Sequence, residues 1–254
     1  MYRTMIEVVV ALAVVYVGLC AVLFFVQRSL IYFPQIVAFS PGATTAKFLV
    51  PGAALQISVR PRPGAHALLY FGGNAEDVAA NLPSFSTAFP DYALYLLHYR
   101  GYGGSSGQPS EETLHSDALT LFDKIRAEHA NVVVVGRSLG SGVAIRLASV
   151  RPVSRLVLVT PFDSLQELAV QQFPYIPVRW LLLDKFESWR YAPHVSAPTT
   201  IVAAEFDEVI PRSSSDLLYS RFTGGVASYR VIAGAGHNSI SESVAYLPLL
   251  TGIP

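Results

Sequence analysis

Ser138 stands in Gly136-Arg137-Ser138-Leu139-Gly140, between the four valines Val132 to Val135 and an apolar-periodic run from Val143 to Val150. The valines read as a strand buried on both faces, and the run after them reads as a helix. The serine therefore falls at a sharp strand-to-helix turn, the setting of a nucleophile elbow. Such a turn strains the backbone and leaves the hydroxyl exposed. Gly136 and Gly140 carry no Cβ, so the helix can pack against the strand. The Leu139 N–H, at the start of that helix, points to where an oxyanion would form. The chemistry this arrangement suits is attack of a hydroxyl on a carbonyl carbon. A serine hydroxyl is a weak nucleophile at neutral pH, so it needs an adjacent base, and the base needs a group to orient it.

In the chain order serine, acid, histidine, only His194 and His237 lie downstream of Ser138. His237 follows an expected strand in Gly234-Ala235-Gly236-His237-Asn238, where glycines allow close backbone approach; His194 sits in a proline-bounded segment before a strand. His237 is the candidate base. Acids follow the expected strand Thr199 to Ala204 at Glu205, Asp207 and Glu208, and Asp207 is the best placed. It can equally act as a capping or turn residue. Asp163, in Pro161-Phe162-Asp163-Ser164, reads as a helix N-cap. A second oxyanion donor is expected from Gly72-Gly73-Asn74, through the Asn74 N–H at an expected helix start. The Asn74 side chain is free to cap that helix at the same time.

These residues need a scaffold that brings distant loops together. From residue 65 onward strands alternate with helices: expected strands cover 65–71, 92–99, 132–135, 155–160, 199–204 and 228–232, and expected helices cover 75–89 (bent at Pro83), 111–129, 143–150, 212–222 and 239–250. That alternation implies an α/β fold, a mostly parallel sheet with helices on both faces. Sites in such sheets collect at the carboxyl ends of the strands. Two short β-like pieces, 47–50 and 55–59, precede them. The chain of 254 residues has zero formal net charge, which argues against an electrostatic nucleic-acid binder. Its single cysteine, Cys20, excludes a disulfide framework and a Cys-based metal site. The chemistry expected here needs neither a metal nor an organic cofactor. The Gly-rich loop 100–107 lacks a phosphate-binding pattern and reads as a structural turn, with Ser105 or Ser106 satisfying backbone groups.

Val8 to Val26 is uncharged throughout. At about 1.5 Å per residue it is long enough to cross a bilayer core. Aromatic residues cluster near its end, and no small-residue cleavage site follows before Gln27, so a single-pass N-terminal anchor is favoured over a leader peptide. Arg3 and Arg28 flank the span evenly and leave its orientation open. The expected organisation is an anchor with its flanks at 1–30, a connector at 31–40 opening a domain that runs 31–254, and a short helical cap over about 163–192. The cap is rich in apolar and aromatic residues, and Pro174 and Pro177 break it into short helices. It reads as a packed lid, and more sharply as a lid that also forms an acyl-chain pocket facing the bilayer, with Trp180 and Phe186 taking part and the anchor holding the domain near that surface.

Taken together, these pieces resemble the α/β-hydrolase superfamily, and within it a single-pass, membrane-anchored branch that includes protein depalmitoylases and lysophospholipid hydrolases. The residues that carry the resemblance are Gln27 to Pro34, Phe71-Gly72-Gly73-Asn74-Ala75, Tyr99 to Gly107, the elbow, and Pro161-Phe162-Asp163-Ser164. Ser138, Asp207 and His237 then match the family's nucleophile, acid and base. The family usually has His where this chain has Gly72, so a side chain that braces the oxyanion loop is missing. The resemblance implies the α/β-hydrolase fold and hydrolysis of an ester or thioester, of a small molecule or a lipid. A peptidase on the same fold and a non-catalytic, membrane-tethered binding protein remain as alternatives, and the oligomeric state is open.

Overall fold

The computed structural model describes residues 2–35 and 44–252. Its strands are β1 (Thr44–Val50), β2 (Ala53–Arg60), β3 (His66–Phe71), β4 (Ala93–His98), β5 (Asn131–Arg137), β6 (Arg155–Val159), β7 (Thr199–Phe206) and β8 (Ala227–Gly236). They form one sheet in the order β1-β2-β4-β3-β5-β6-β7-β8. β3 to β8 run parallel, and β2 joins β4 antiparallel with β1 at the edge. The helices are α1 (Tyr2–Ile31), α2 (Leu82–Ala88), α3 (Glu111–Glu128), α4 (Leu139–Ala148), α5 (Leu165–Gln172), α6 (Val178–Leu181), α7 (Ser188–Tyr191), α8 (Arg212–Arg221) and α9 (Tyr246–Thr251). This is the α/β-hydrolase fold, preceded by one long apolar helix.

The valines of β5 explain its central place. Val132 and Val134 face a core shared with α3 and α4, while Val133 and Val135 face a second core shared with α2 and α9. A strand apolar on both faces is stable only between two helical layers. Ser110 starts α3 with a reciprocal cap: its hydroxyl accepts from the Thr113 N–H, and the Thr113 hydroxyl accepts from the Ser110 N–H.

Several elements differ from the sequence reading. No continuous helix spans 75–89. Ala75 has a φ of 59°, a single turn runs Val78–Asn81, and α2 starts only at Leu82. Pro83 lies in the first turn of α2, where its missing N–H has no partner to lose, so it starts the helix and does not bend it. The expected helix 239–250 is likewise a turn, Ile240–Glu242, followed by the short α9. Pro248 sits in the first turn of α9, and a longer helix would have needed its N–H. Asp163 is not an N-cap: Ser164 caps α5, accepting from the Glu167 N–H. The connector expected at 31–40 is described only to Gln35, and its remainder lies outside the described residues. The 100–107 loop is structural as expected. The Ser105 hydroxyl donates to the His98 carbonyl and accepts from the Gln56 N–H, and the Ser106 hydroxyl accepts from the Ala54 N–H.

Candidate active site

Ser138, Asp207 and His237 each occupy the first position after a parallel strand, following β5, β7 and β8. Ser138 holds φ 49° and ψ −118°. This is strained backbone for a residue with a Cβ, on the order of 1–3 kcal/mol. The Ser138 N–H donates to the Val159 carbonyl of β6 at 2.9 Å. The elbow glycines are needed for close approach. A Cβ on Gly140 would overlap the Phe71 carbonyl oxygen, and one on Gly136 would overlap the Gly140 carbonyl oxygen. The helix after the serine is thus pressed directly against the loop after β3.

His237 Nε2 lies 3.0 Å from Ser138 Oγ, and His237 Nδ1 lies 2.9 Å from both Asp207 carboxylate oxygens. A carboxylate only accepts, so Nδ1 carries the proton and Nε2 presents a lone pair to the serine hydroxyl. Both side chains of the His237–Asp207 pair are more than nine-tenths buried, which limits competition from water. Asp207 also accepts from the N–H groups of Val209 and Ile210 at 3.0 and 2.7 Å, so its own turn fixes the carboxylate. The turn role and the orienting role coexist in one residue.

The neighbouring acids do different work. Glu208 accepts from the His237 N–H at 3.0 Å, and that hydrogen bond holds its carboxyl below the usual range. Glu205 accepts from the Gly234 N–H. Both anchor the backbone of the loop that carries His237. His194 lies in a turn ahead of β7, at the amino end of the strand. The buried Asp163 has one carboxylate oxygen without a partner, and burial raises its pKa.

Between the elbow and the loop after β3, the N–H groups of Leu139 and Asn74 have no hydrogen-bond partner among the described residues. The Gly73 N–H does not compete for an oxyanion role, because it donates to Glu76 Oε2 at 2.6 Å. Asn74 does not start or cap a helix, contrary to expectation. The first turn begins at Val78, and Asp77 caps it. The Asn74 side chain reaches the other way: Nδ2 donates to the Ile31 carbonyl, and Oδ1 accepts from the Tyr102 hydroxyl and the Phe33 N–H.

The missing histidine at Gly72 has substitutes. The Tyr99 hydroxyl donates to the Gly72 carbonyl at 2.9 Å. Glu76 gathers Tyr70, Gly73 and Asn81, and lies 3.7 Å from Arg137. Arg137 in turn donates to the carbonyls of His237 and Asn238. One guanidinium therefore links the loop after β3, the elbow and the loop carrying His237. Burial is the largest single influence on Arg137 and opposes its charge, but Glu76, Tyr70 and Tyr246 together outweigh it and hold its pKa above the ordinary value.

In front of Ser138 lies an apolar cavity of about 470 Å³. Its wall includes Leu139, Phe162, Leu165, Leu168 and Ile176. It also includes Leu23, Gln27, Leu30 and Ile31 of α1; the sequence reading assigned the first three to an anchor and its flank and Ile31 to the connector, none of them to the site. Gln27 is bonded into the cap, donating to the Leu181 carbonyl and accepting from the Leu183 N–H. Arg28 and Tyr32 both bond Asp184. The polar Gln27-Arg28 directly after an apolar run was the one local signal of this docking. The two aromatic residues expected in the pocket are placed elsewhere: Phe186 is buried in the core against Phe162, and Trp180 is exposed.

Residues 48–235 match the model of the alpha/beta hydrolase family. An uncharacterized protein of Mycobacterium tuberculosis is 32% identical over 252 residues, covering 91% of this chain and 87% of that protein. The lysophosphatidylserine lipase ABHD12 of Macaca fascicularis is 35% identical over 149 residues, covering 51% of this chain and 37% of its own length. The esterase Pf2001 of Pyrococcus furiosus superimposes with a TM-score of 0.65 at 16% identity, over 87% of this chain and 97% of its own.

Proposed function

This chain belongs to the alpha/beta hydrolase family, and we propose from that premise that it is a serine hydrolase of carboxylic esters or thioesters, working through an acyl-enzyme. His237 takes the Ser138 proton as the hydroxyl attacks the carbonyl, and Asp207 holds the imidazole in the required tautomer and stabilises its charged form. The N–H groups of Leu139 and Asn74 receive the oxyanion. The leaving group departs with the proton from His237, and His237 then activates water to release the acid. The observation that carries this reading is the continuous Asp207–His237–Ser138 hydrogen-bonded chain at 2.9 and 3.0 Å, opening on an apolar cavity. That cavity lies within the roughly 300–1,000 Å³ usual for small-molecule sites. Its apolar lining suits an acyl chain better than a peptide backbone, and the lipase among the relatives agrees with that choice.

The organisation proposed is an apolar helix anchoring the domain to a membrane, with the cap over the pocket. Cleavage of the helix as a leader would remove the wall formed by Leu23, Leu30 and Ile31, and the Ile31 carbonyl that holds Asn74. The test is hydrolysis of p-nitrophenyl esters by the full chain, with Ser138→Ala beside it and a fluorophosphonate probe on both. Loss of turnover by roughly 10⁴-fold or more in the variant, with labelling confined to wild type, is the expected result. A folded wild-type protein that neither labels nor turns over any ester overturns the hydrolase reading and leaves a binding role.

A further inference from the structure

The residues of α1 that are shielded by the rest of the chain fall in one stripe: Cys20, Leu23, Phe24, Gln27 and Ile31, while every residue from Tyr2 to Leu19 is exposed. The spacing is that of a helix face packed against a partner, and the partner is the cap. The contact begins further up the helix, where the Tyr16 hydroxyl donates to the Tyr175 carbonyl at 2.8 Å. Tyr16 lies within the uncharged run Val8 to Val26, about 15 Å along the axis from its end. If that run occupies the bilayer, the cap tip at Tyr175 lies beside it at the same depth. The cap has the composition for this. Residues 168–178 carry no charge. Phe173, Tyr175, Trp180 and Leu183 are exposed, on a segment bonded to the helix through Tyr16–Tyr175, Gln27–Leu181 and Gln27–Leu183. Exposed apolar and aromatic side chains grouped in this way mark a membrane-contacting face.

We propose that the cap is a membrane-inserted element, and that the cavity takes its acyl chain directly from the bilayer, between α1 and the 168–178 segment. Leu23 of the helix and Leu168, Phe173 and Ile176 of the cap line the same cavity as Ser138. The substrate is then an ester or thioester whose long acyl chain is held in the leaflet, and the water-soluble part of the substrate meets the polar loops. The substrate half of this proposal rests on the hydrolase reading; the insertion half does not.

The experiment separates the two. Full-length protein carrying Trp189→Phe retains Trp180 as its one tryptophan, since the chain has two. It is reconstituted in phosphatidylcholine vesicles with brominated acyl chains. Quenching of Trp180 by the bromines, with little quenching by aqueous acrylamide, is expected; the reverse overturns insertion. In parallel, Trp180→Glu and Tyr175→Asp are assayed on p-nitrophenyl acetate and on two vesicle-held substrates, a palmitoyl lysophospholipid and a palmitoyl-cysteine peptide. Both side chains are 87% exposed and neither lines the cavity, so the fold and the acetate rate are expected to survive. Turnover of a vesicle-held substrate falls by roughly tenfold; which of the two is turned over identifies the leaving group. Refusal of both by wild type, or equal turnover by wild type and variants, overturns the bilayer-fed substrate while acetate hydrolysis leaves the hydrolase reading intact. Bromine quenching without any ester hydrolysis does the opposite.

Discussion

Ser138, Asp207 and His237 come from three strand ends that neighbouring strands hold in register, whereas most of the apolar wall in front of them comes from α1 and the cap, which add no strand to the sheet. The first region is fixed by directional contacts. His237 alone is held through its ring, its N–H and its carbonyl. The second region is mostly packing, with polar contacts at Tyr16, Gln27, Arg28, Tyr32 and Asp184. A hydrogen-bonded triad loses function when geometry shifts by a fraction of an ångström. An apolar wall tolerates volume-conserving change and responds mainly to altered size. On the proposed hydrolase reading, the chemistry and the choice of substrate are therefore separable in this chain.

The largest effect that tests this separation is expected from Asp207→Asn. Loss of the carboxylate removes the group that selects the His237 tautomer, so kcat should fall by about 10⁴-fold. The fall should be the same for short and long acyl chains; a loss confined to one chain length would break the comparison. Leu23→Trp should act on the other region alone. The larger side chain fills part of the cavity, so kcat/KM for a long-chain ester should drop by about tenfold while that for an acetate ester stays within about twofold. Equal losses on both would mean that the helix wall reaches the reacting atoms.

The smallest effect concerns Asp163, at the start of the cap, where its carbonyl accepts from the Trp189 N–H. Burial raises its pKa above the unfolded value. The unfolded chain therefore releases this proton first, and stability contributed by the protonated form is lost as pH rises from the ordinary carboxyl value through the raised one. Asp163→Asn removes that loss, so thermal melts should show the variant gaining on wild type as pH rises from about 4 toward neutrality. A parallel pH dependence of the two would show that Asp163 ionises freely in the fold.

Legibility in the sequence follows the same division. The elbow, His237 and Asp207 were readable because each depends on its own few residues and on a strand just before it. β5 was readable from its valines alone. The wall was not, because Gln27 meets Leu181 and Leu183, and Arg28 meets Asp184, across more than 150 positions. No local pattern encodes such a meeting. The same limit explains Asn74. A capping residue is the natural reading of Gly-Gly-Asn before an expected helix, and only the fold shows the side chain turned toward Ile31 and Phe33. Phe186 and Trp180 are both aromatic residues of the cap, and composition gave no means of telling the buried one from the exposed one.

The Arg28–Asp184 contact also sets an order of events during synthesis. α1 leaves the ribosome before any strand of the sheet, yet its partner in the cap is made only after β6 is complete. Contacts of such long sequence separation form late, once the loop between them has closed. The helix must therefore wait, with its docking stripe uncovered, until residue 184 has emerged. Until then Leu23 lacks the cap residues that line the cavity with it, and the cavity is incomplete.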